Sequence, residues 1–231
     1  MKYIKLLSIL WMGWYMVGCG TSSSIESDDV NQENSINEKL TRIACVGDSI
    51  TEGYGLSNSK NDSYPSKLQV LLGKSYKVKN FGISNKTLMK NGDDPYWNHA
   101  HYRNSLAYKP DVVIIMLGTN DLKEQNWNKK NNFVKDYSDL IKKYKELDSQ
   151  AIIYICKPPP SYGELAGITN IKIKDMVGKV EEVASNNNFV KVIDVYAKMS
   201  NHREWFSEDA LHPNKLGANN LAKIIYETVY P

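Results

Sequence analysis

Three cysteines in 231 residues are too few for a disulfide framework. A chain of this length buries roughly 70% of its unfolded surface and needs no such staples. Leu6–Val17 is an apolar run of 12 interrupted residues, short of the ~20 that cross a bilayer. No basic block stands out: without Lys2 and Lys5 the chain has 27 basic residues against 26 acidic, so no nucleic-acid footprint is expected. There is no Gly-rich phosphate loop, no internal repeat and no G-x-S-x-G elbow. What remains is an ordinary globular composition, 42% hydrophobic and 24% charged, which excludes disordered, collagen-like and multispan membrane proteins.

The first residues read as an address. Lys2 and Lys5 precede the apolar run, which ends in Met16-Val17-Gly18-Cys19. That ending resembles a bacterial lipoprotein lipobox, with methionine where leucine is usual. The resemblance implies a signal peptide over 1–18 and lipidation of Cys19, which would hold the chain to the cell envelope as its sole membrane contact. Residues 19–40 are rich in Ser, Asn and acidic side chains and read as a disordered tether, with a folded domain over 41–231.

Within that domain, strand and helix patterns alternate. Apolar runs at Arg42–Val46, Tyr76–Ile83, Asp111–Leu117, Ala151–Cys156 and Val190–Val195 read as five strands. Helical spacing is found over Tyr64–Leu72, His101–Tyr108, Asn132–Leu147, Ile168–Asn186 and Leu216–Tyr230. This alternation predicts an α/β fold, a parallel sheet with helices on both faces. Ligands in such sheets bind beyond the carboxyl ends of the strands. Polar inserts near 53–63, 84–98 and 122–131 follow strands, and the first two are expected to shape a pocket on that rim.

The strand ends carry chemistry. They read Gly47-Asp48-Ser49-Ile50, Asn80-Phe81-Gly82 and Gly118-Thr119-Asn120-Asp121, and past the last strand comes Asp209-Ala210-Leu211-His212. Singly, each is ordinary turn or capping composition. Jointly they supply a nucleophile, a base, an orienting acid and oxyanion donors on one rim. A serine hydroxyl is a poor nucleophile until a base takes its proton, and an imidazole can do so near neutral pH. A carboxylate on the other ring nitrogen fixes the tautomer. Asp209, three residues before His212, can reach it. Donors for a tetrahedral oxyanion would be the Ser49 N–H, the Gly82 N–H and the Asn120 side-chain amide.

The four blocks, in this order, resemble the SGNH hydrolases, also called the GDSL esterase/lipase family, over roughly residues 41–230. The family resemblance implies a three-layer, flavodoxin-like fold with a five-stranded parallel sheet. It implies Ser49 as nucleophile, His212 as base, Asp209 as orienter, and Ser49, Gly82 and Asn120 as the oxyanion hole. No cofactor is expected. Asp62-Ser63-Tyr64-Pro65, Pro95-Tyr96-Trp97-Asn98, Gln125-Asn126-Trp127 and Ile153-Tyr154-Ile155-Cys156 look most like the sialate O-acetylesterase and carbohydrate acetylesterase branch. Trp97, Trp127 and Tyr162 are accordingly expected to stack on sugar rings.

The expected activity is hydrolysis of acetyl esters on carbohydrates such as sialic acid. A lysophospholipase or thioesterase of the same fold, and a non-catalytic carbohydrate-binding lipoprotein, are the alternatives. The polar inserts favour a small acyl group. His99-Ala100-His101 lacks an evident third ligand, so no metal is expected. Cys45 and Cys156 lie mid-strand and read as buried free thiols.

Overall fold

The computed structural model describes residues 40–230. The expected signal segment, most of the tether, and Cys19 lie outside the described residues. The five strands are β1 (Thr41–Gly47), β2 (Tyr76–Gly82), β3 (Val112–Met116), β4 (Ile152–Lys157) and β5 (Lys191–Asp194). They pair in parallel in the order β2-β1-β3-β4-β5. Between β1 and β2 lie α1 (Ser49–Glu52), α2 (Ser59–Asp62) and α3 (Tyr64–Leu72). Next come α4 (Ala100–Ala107), α5 (Glu124–Trp127), α6 (Phe133–Leu147), α7 (Asn170–Asn186), α8 (Val195–Met199) and α9 (Lys215–Val229).

The period of two in each strand divides the core in two. Ala44, Val46, Val113, Ile115, Ile153 and Ile155 face one side, packed with Tyr137 and Leu140 of α6 and Ile173 and Val180 of α7. Ile43, Cys45, Ile114, Tyr154 and Cys156 face the other, with Leu68 of α3 and Leu221 and Ile225 of α9. Each large apolar side chain so buried contributes about 1.5–3 kcal/mol. β3 is buried at every residue, as its unbroken β-branched run predicts. Cys45 and Cys156 are buried free thiols on β1 and β4, which β3 separates.

The expected helices and strands recur with ends shifted by at most two residues. The short helices α1, α2, α5 and α8 fall where no period was legible. Three of them are nucleated by a side-chain cap: Asp48 accepts from the Ile50 N–H, Asn58 from Asn61, and Asp194 from Ala197. The register aligns Gly47 with Gly82 on one side and Met116 on the other, so three strands end level on one rim.

Candidate active site

Ser49 opens α1 directly after β1. Gly47 permits the tight exit: a Cβ there would lie 2.1 Å from Thr51 Oγ1 and 2.3 Å from the Met116 carbonyl. Asp48 is fully buried. Its Oδ1 accepts from the Ile50 N–H at 3.1 Å and its Oδ2 from the Thr119 N–H at 3.2 Å, which ties the turn after β1 to the turn after β3. Burial pushes its carboxyl above the ordinary range, against the pull of these donors and of His212.

The loop after α8 brings in the other two residues. Asp209 Oδ1 accepts from the backbone N–H groups of Leu211 and His212, at 3.0 and 2.9 Å. Its Oδ2 lies 2.7 Å from His212 Nδ1. Ala210 between them has a φ of 62°, a left-handed conformation, and its carbonyl accepts from the Tyr162 N–H at 2.8 Å. His212 Nε2 lies 2.9 Å from Ser49 Oγ. Burial raises the Asp209 carboxyl, but the backbone donors and the His212 ring outweigh it and hold the group below the ordinary carboxylate range. An ionised Asp209 accepts a hydrogen bond from the Nδ1–H. The Nε2 lone pair is then left facing the serine hydroxyl.

Ser49 and His212, only 8% and 6% exposed, border a cavity of about 210 Å³. Tyr54 flanks the imidazole, ring centroids 4.8 Å apart. Asn120 also lines the cavity, from a 3-10 turn at Thr119–Leu122. Its Nδ2 donates to the Lys86 carbonyl at 3.2 Å and its carbonyl accepts from Asn126 Nδ2 at 3.0 Å. Of the two inserts expected to shape the pocket, the first supplies Tyr54 and the second Ser84 and Asn85. A further part of the lining, Leu165, Ala166 and Ile168, comes from the segment after β4, in which only Tyr162 carried a functional expectation.

Two expectations need correction. Gly82 does not line this cavity: its N–H donates to Asn80 Oδ1 at 2.8 Å. The glycine is there because a Cβ would lie 2.2 Å from the Glu52 nitrogen, so it admits the backbone of α1. Asn85 faces the cavity instead, at a φ of 64°. Among the described residues its N–H has no acceptor. The only sequence signal for it was an asparagine soon after a strand, a residue that tolerates this conformation.

The aromatic expectation also fails. None of Trp97, Trp127 and Tyr162 lines the cavity. Trp97 Nε1 donates to the Leu88 carbonyl at 2.7 Å, and Trp127 is buried on Phe133 with Nε1 donating to Asp175 at 3.0 Å. The Tyr162 hydroxyl lies 3.0 Å from the Met199 carbonyl and accepts from the His202 N–H. Their polar tips are engaged within the fold; Trp127 is buried, and Trp97 and Tyr162 are half-buried. His99 pairs with Asp94 at 2.6 Å.

Comparison with known proteins agrees with the fold. The sequence profile of the GDSL-like lipase/acylhydrolase family matches residues 45–219. An acetylxylan esterase of Xylanibacter ruminicola is 36% identical over 205 residues, covering 81% of this chain and 43% of the relative. The chain therefore spans less than half the length of that protein. The crystal structure of a lipase/acylhydrolase from Enterococcus faecalis superposes with a TM-score of 0.67 at 25% identity, covering 82% of this chain and 95% of that one. An inhibitor-bound aryl esterase of M. smegmatis shares the fold at a TM-score of 0.66 and 20% identity, over 82% of this chain and 98% of that one. On the match to more than half of its length, this chain belongs to the GDSL-like lipase/acylhydrolase family, the SGNH hydrolases.

Proposed function

We propose that the protein is a serine esterase that removes short acyl groups, acetyl foremost, from carbohydrates. The observation that carries this reading is the relay from the Asp209 carboxylate through the His212 ring to the Ser49 hydroxyl, opening onto a small cavity. At about 210 Å³ the cavity is below the roughly 300 Å³ at which drug-sized pockets begin, which favours a short acyl chain over a long one. The acetylxylan esterase relative supports an acetylated saccharide, and both xylan and sialic acid are candidate carriers.

In the proposed reaction, Ser49 Oγ bonds to the ester carbonyl carbon and its proton passes to His212 Nε2. Asp209 stabilises the imidazolium without taking its proton. The oxyanion meets donors already in place, the N–H groups of Ser49 and Asn85 and the Asn120 amide. The C–O bond to the sugar breaks and the sugar oxygen takes the proton from His212. Water then bonds to the acyl carbon and gives a proton to His212, which returns it to Ser49 as acetate leaves.

Acetate release from acetylated xylan and acetylated sialic acid, with p-nitrophenyl acetate and octanoate alongside, tests the reading. The wild type should cleave acetate faster than octanoate. Ser49→Ala should lose all turnover with its thermal midpoint within a few degrees of the wild type. Substantial turnover in that variant would sink the proposal. We further infer an envelope-tethered enzyme from the lipobox-like Met16–Cys19. Palmitate labelling in a bacterial host, abolished by Cys19→Ala, is the check.

A further inference from the structure

Lys123 lines the Ser49 cavity, and among the described residues no carboxylate does. Its backbone is fixed at the start of α5, where its carbonyl accepts from the N–H groups of Asn126 and Trp127, both at 2.9 Å. Its side chain is 16% exposed, and among the described residues its Nζ makes no hydrogen bond. The nearest carboxylate oxygen, Asp93 Oδ2, is 4.0 Å away. Asp93 also accepts from two neutral amides, its Oδ1 from Asn126 Nδ2 and its Oδ2 from Gln125 Nε2, each at 2.9 Å, so its contact with Lys123 is an ion pair without a hydrogen bond.

The contrast with Lys157 is informative. That side chain is similarly covered, yet it sits 2.7 Å from Glu181 and 2.8 Å from Asp194. A largely covered ammonium has three donors to satisfy and a charge to compensate. Lys123 has none of its three donors filled among the described residues and only a loose 4.0 Å ion pair with Asp93, and it borders the cavity. Before the reaction begins, an acetyl group and a neutral sugar offer no negative charge to it.

We propose that Lys123 is a specificity residue that binds a carboxylate borne by the same molecule as the scissile ester. The substrate class is then an acetylated acidic sugar, of uronic or sialic type. This rests on the esterase reading above. Because acetyl itself has no room for a charge, the carboxylate lies on the sugar side of the ester, and a charged acyl group such as succinyl is the competing source.

The test compares wild type, Lys123→Gln and Lys123→Arg on the methyl glycoside of acetylated galacturonic acid, on its galactose counterpart, and on p-nitrophenyl acetate and succinate. Lys123→Gln should lower kcat/KM on the galacturonate ester about tenfold, the scale of a charge-assisted hydrogen bond, and change the galactose ester and p-nitrophenyl acetate less than about twofold. Lys123→Arg should restore most of the loss. Equal losses on all esters, no loss on any, or a loss confined to the succinate ester would each overturn the assignment. If the wild type cleaves none of these esters, the esterase reading fails on its own. Calorimetric titration with free galacturonate against galactose then decides the anion site: binding of the acid that disappears in Lys123→Gln upholds it, and no difference overturns it.

Discussion

His212 Nε2 lies 2.9 Å from Ser49 Oγ, although 163 residues separate them in the chain. The two are held from opposite ends of the fold's sequence: Ser49 by the cap that Asp48 places on α1, His212 by two bonds from Asp209 to its backbone and ring. Neither side chain has to move to exchange a proton with the other, so the reorganisation that would otherwise accompany the first step is already complete.

Asp209→Asn should lower kcat roughly a thousandfold, because an amide no longer fixes the Nδ1 proton and leaves the ring free to present the wrong tautomer. A pH effect accompanies it. The Asp209 carboxyl is held below its ordinary value, so its stabilising contribution is present above the unfolded pKa near 3.9 and is lost as pH falls through the folded one. Thermal midpoints of both proteins between pH 7 and pH 3 should converge at the acid end. Curves that stay parallel would refute the assignment.

Asp121 behaves in the opposite sense. It is fully buried, accepts from the Leu88 and Met89 N–H groups at 2.7 and 2.8 Å, and burial pushes its carboxyl up to about 7 despite those donors. A raised folded pKa stabilises below the unfolded value and loses that contribution as pH rises through the folded one. Urea unfolding should show the wild type, relative to Asp121→Asn, most stable near pH 4 and declining by upward of about 1 kcal/mol by pH 7.5. A constant difference would count against a proton held at this site.

Asn120→Ala removes a cavity-lining side chain whose amide is a proposed oxyanion donor and should reduce kcat by about 10²–10³-fold with a smaller change in KM. Asn85→Gly keeps the backbone N–H and suits a φ of 64°, so its kcat should stay within about threefold of the wild type. Steady-state kinetics on p-nitrophenyl acetate separates them. A large loss in the glycine variant would shift the role at position 85 from the backbone to the side chain.

Gly82→Ala tests the close approach of α1 to β2. The new methyl would meet the Glu52 nitrogen at 2.2 Å, and only a backbone shift relieves it. Overpacking of this kind costs about 1–3 kcal/mol and should displace Ser49 as well, lowering both the thermal midpoint and kcat. An unchanged midpoint would mean the helix has slack that the structure does not show.

The sequence alone determined the alternation of five strands with helices, the fully buried character of β3, and the residue types that end each strand. Those features depend on a period of two or of 3.6 along a few adjacent residues, and that information is local. Only the tertiary structure decided which groups face the cavity. Gly82 reads equally well as a donor or as a gap for another backbone, and the Glu52 nitrogen beside it settles that it is a gap. Trp97 and Trp127 have the chemistry to stack on a sugar, but the Leu88 carbonyl, nine residues before Trp97, and the Asp175 carboxylate, 48 residues after Trp127, claim their N–H groups. The wall at Leu165–Ile168 depends on a turn with positive φ at Ala166 and Gly167, in a stretch whose local pattern marks only the end of a strand. Direction and neighbourhood arise from contacts between remote segments, which a one-dimensional pattern does not encode.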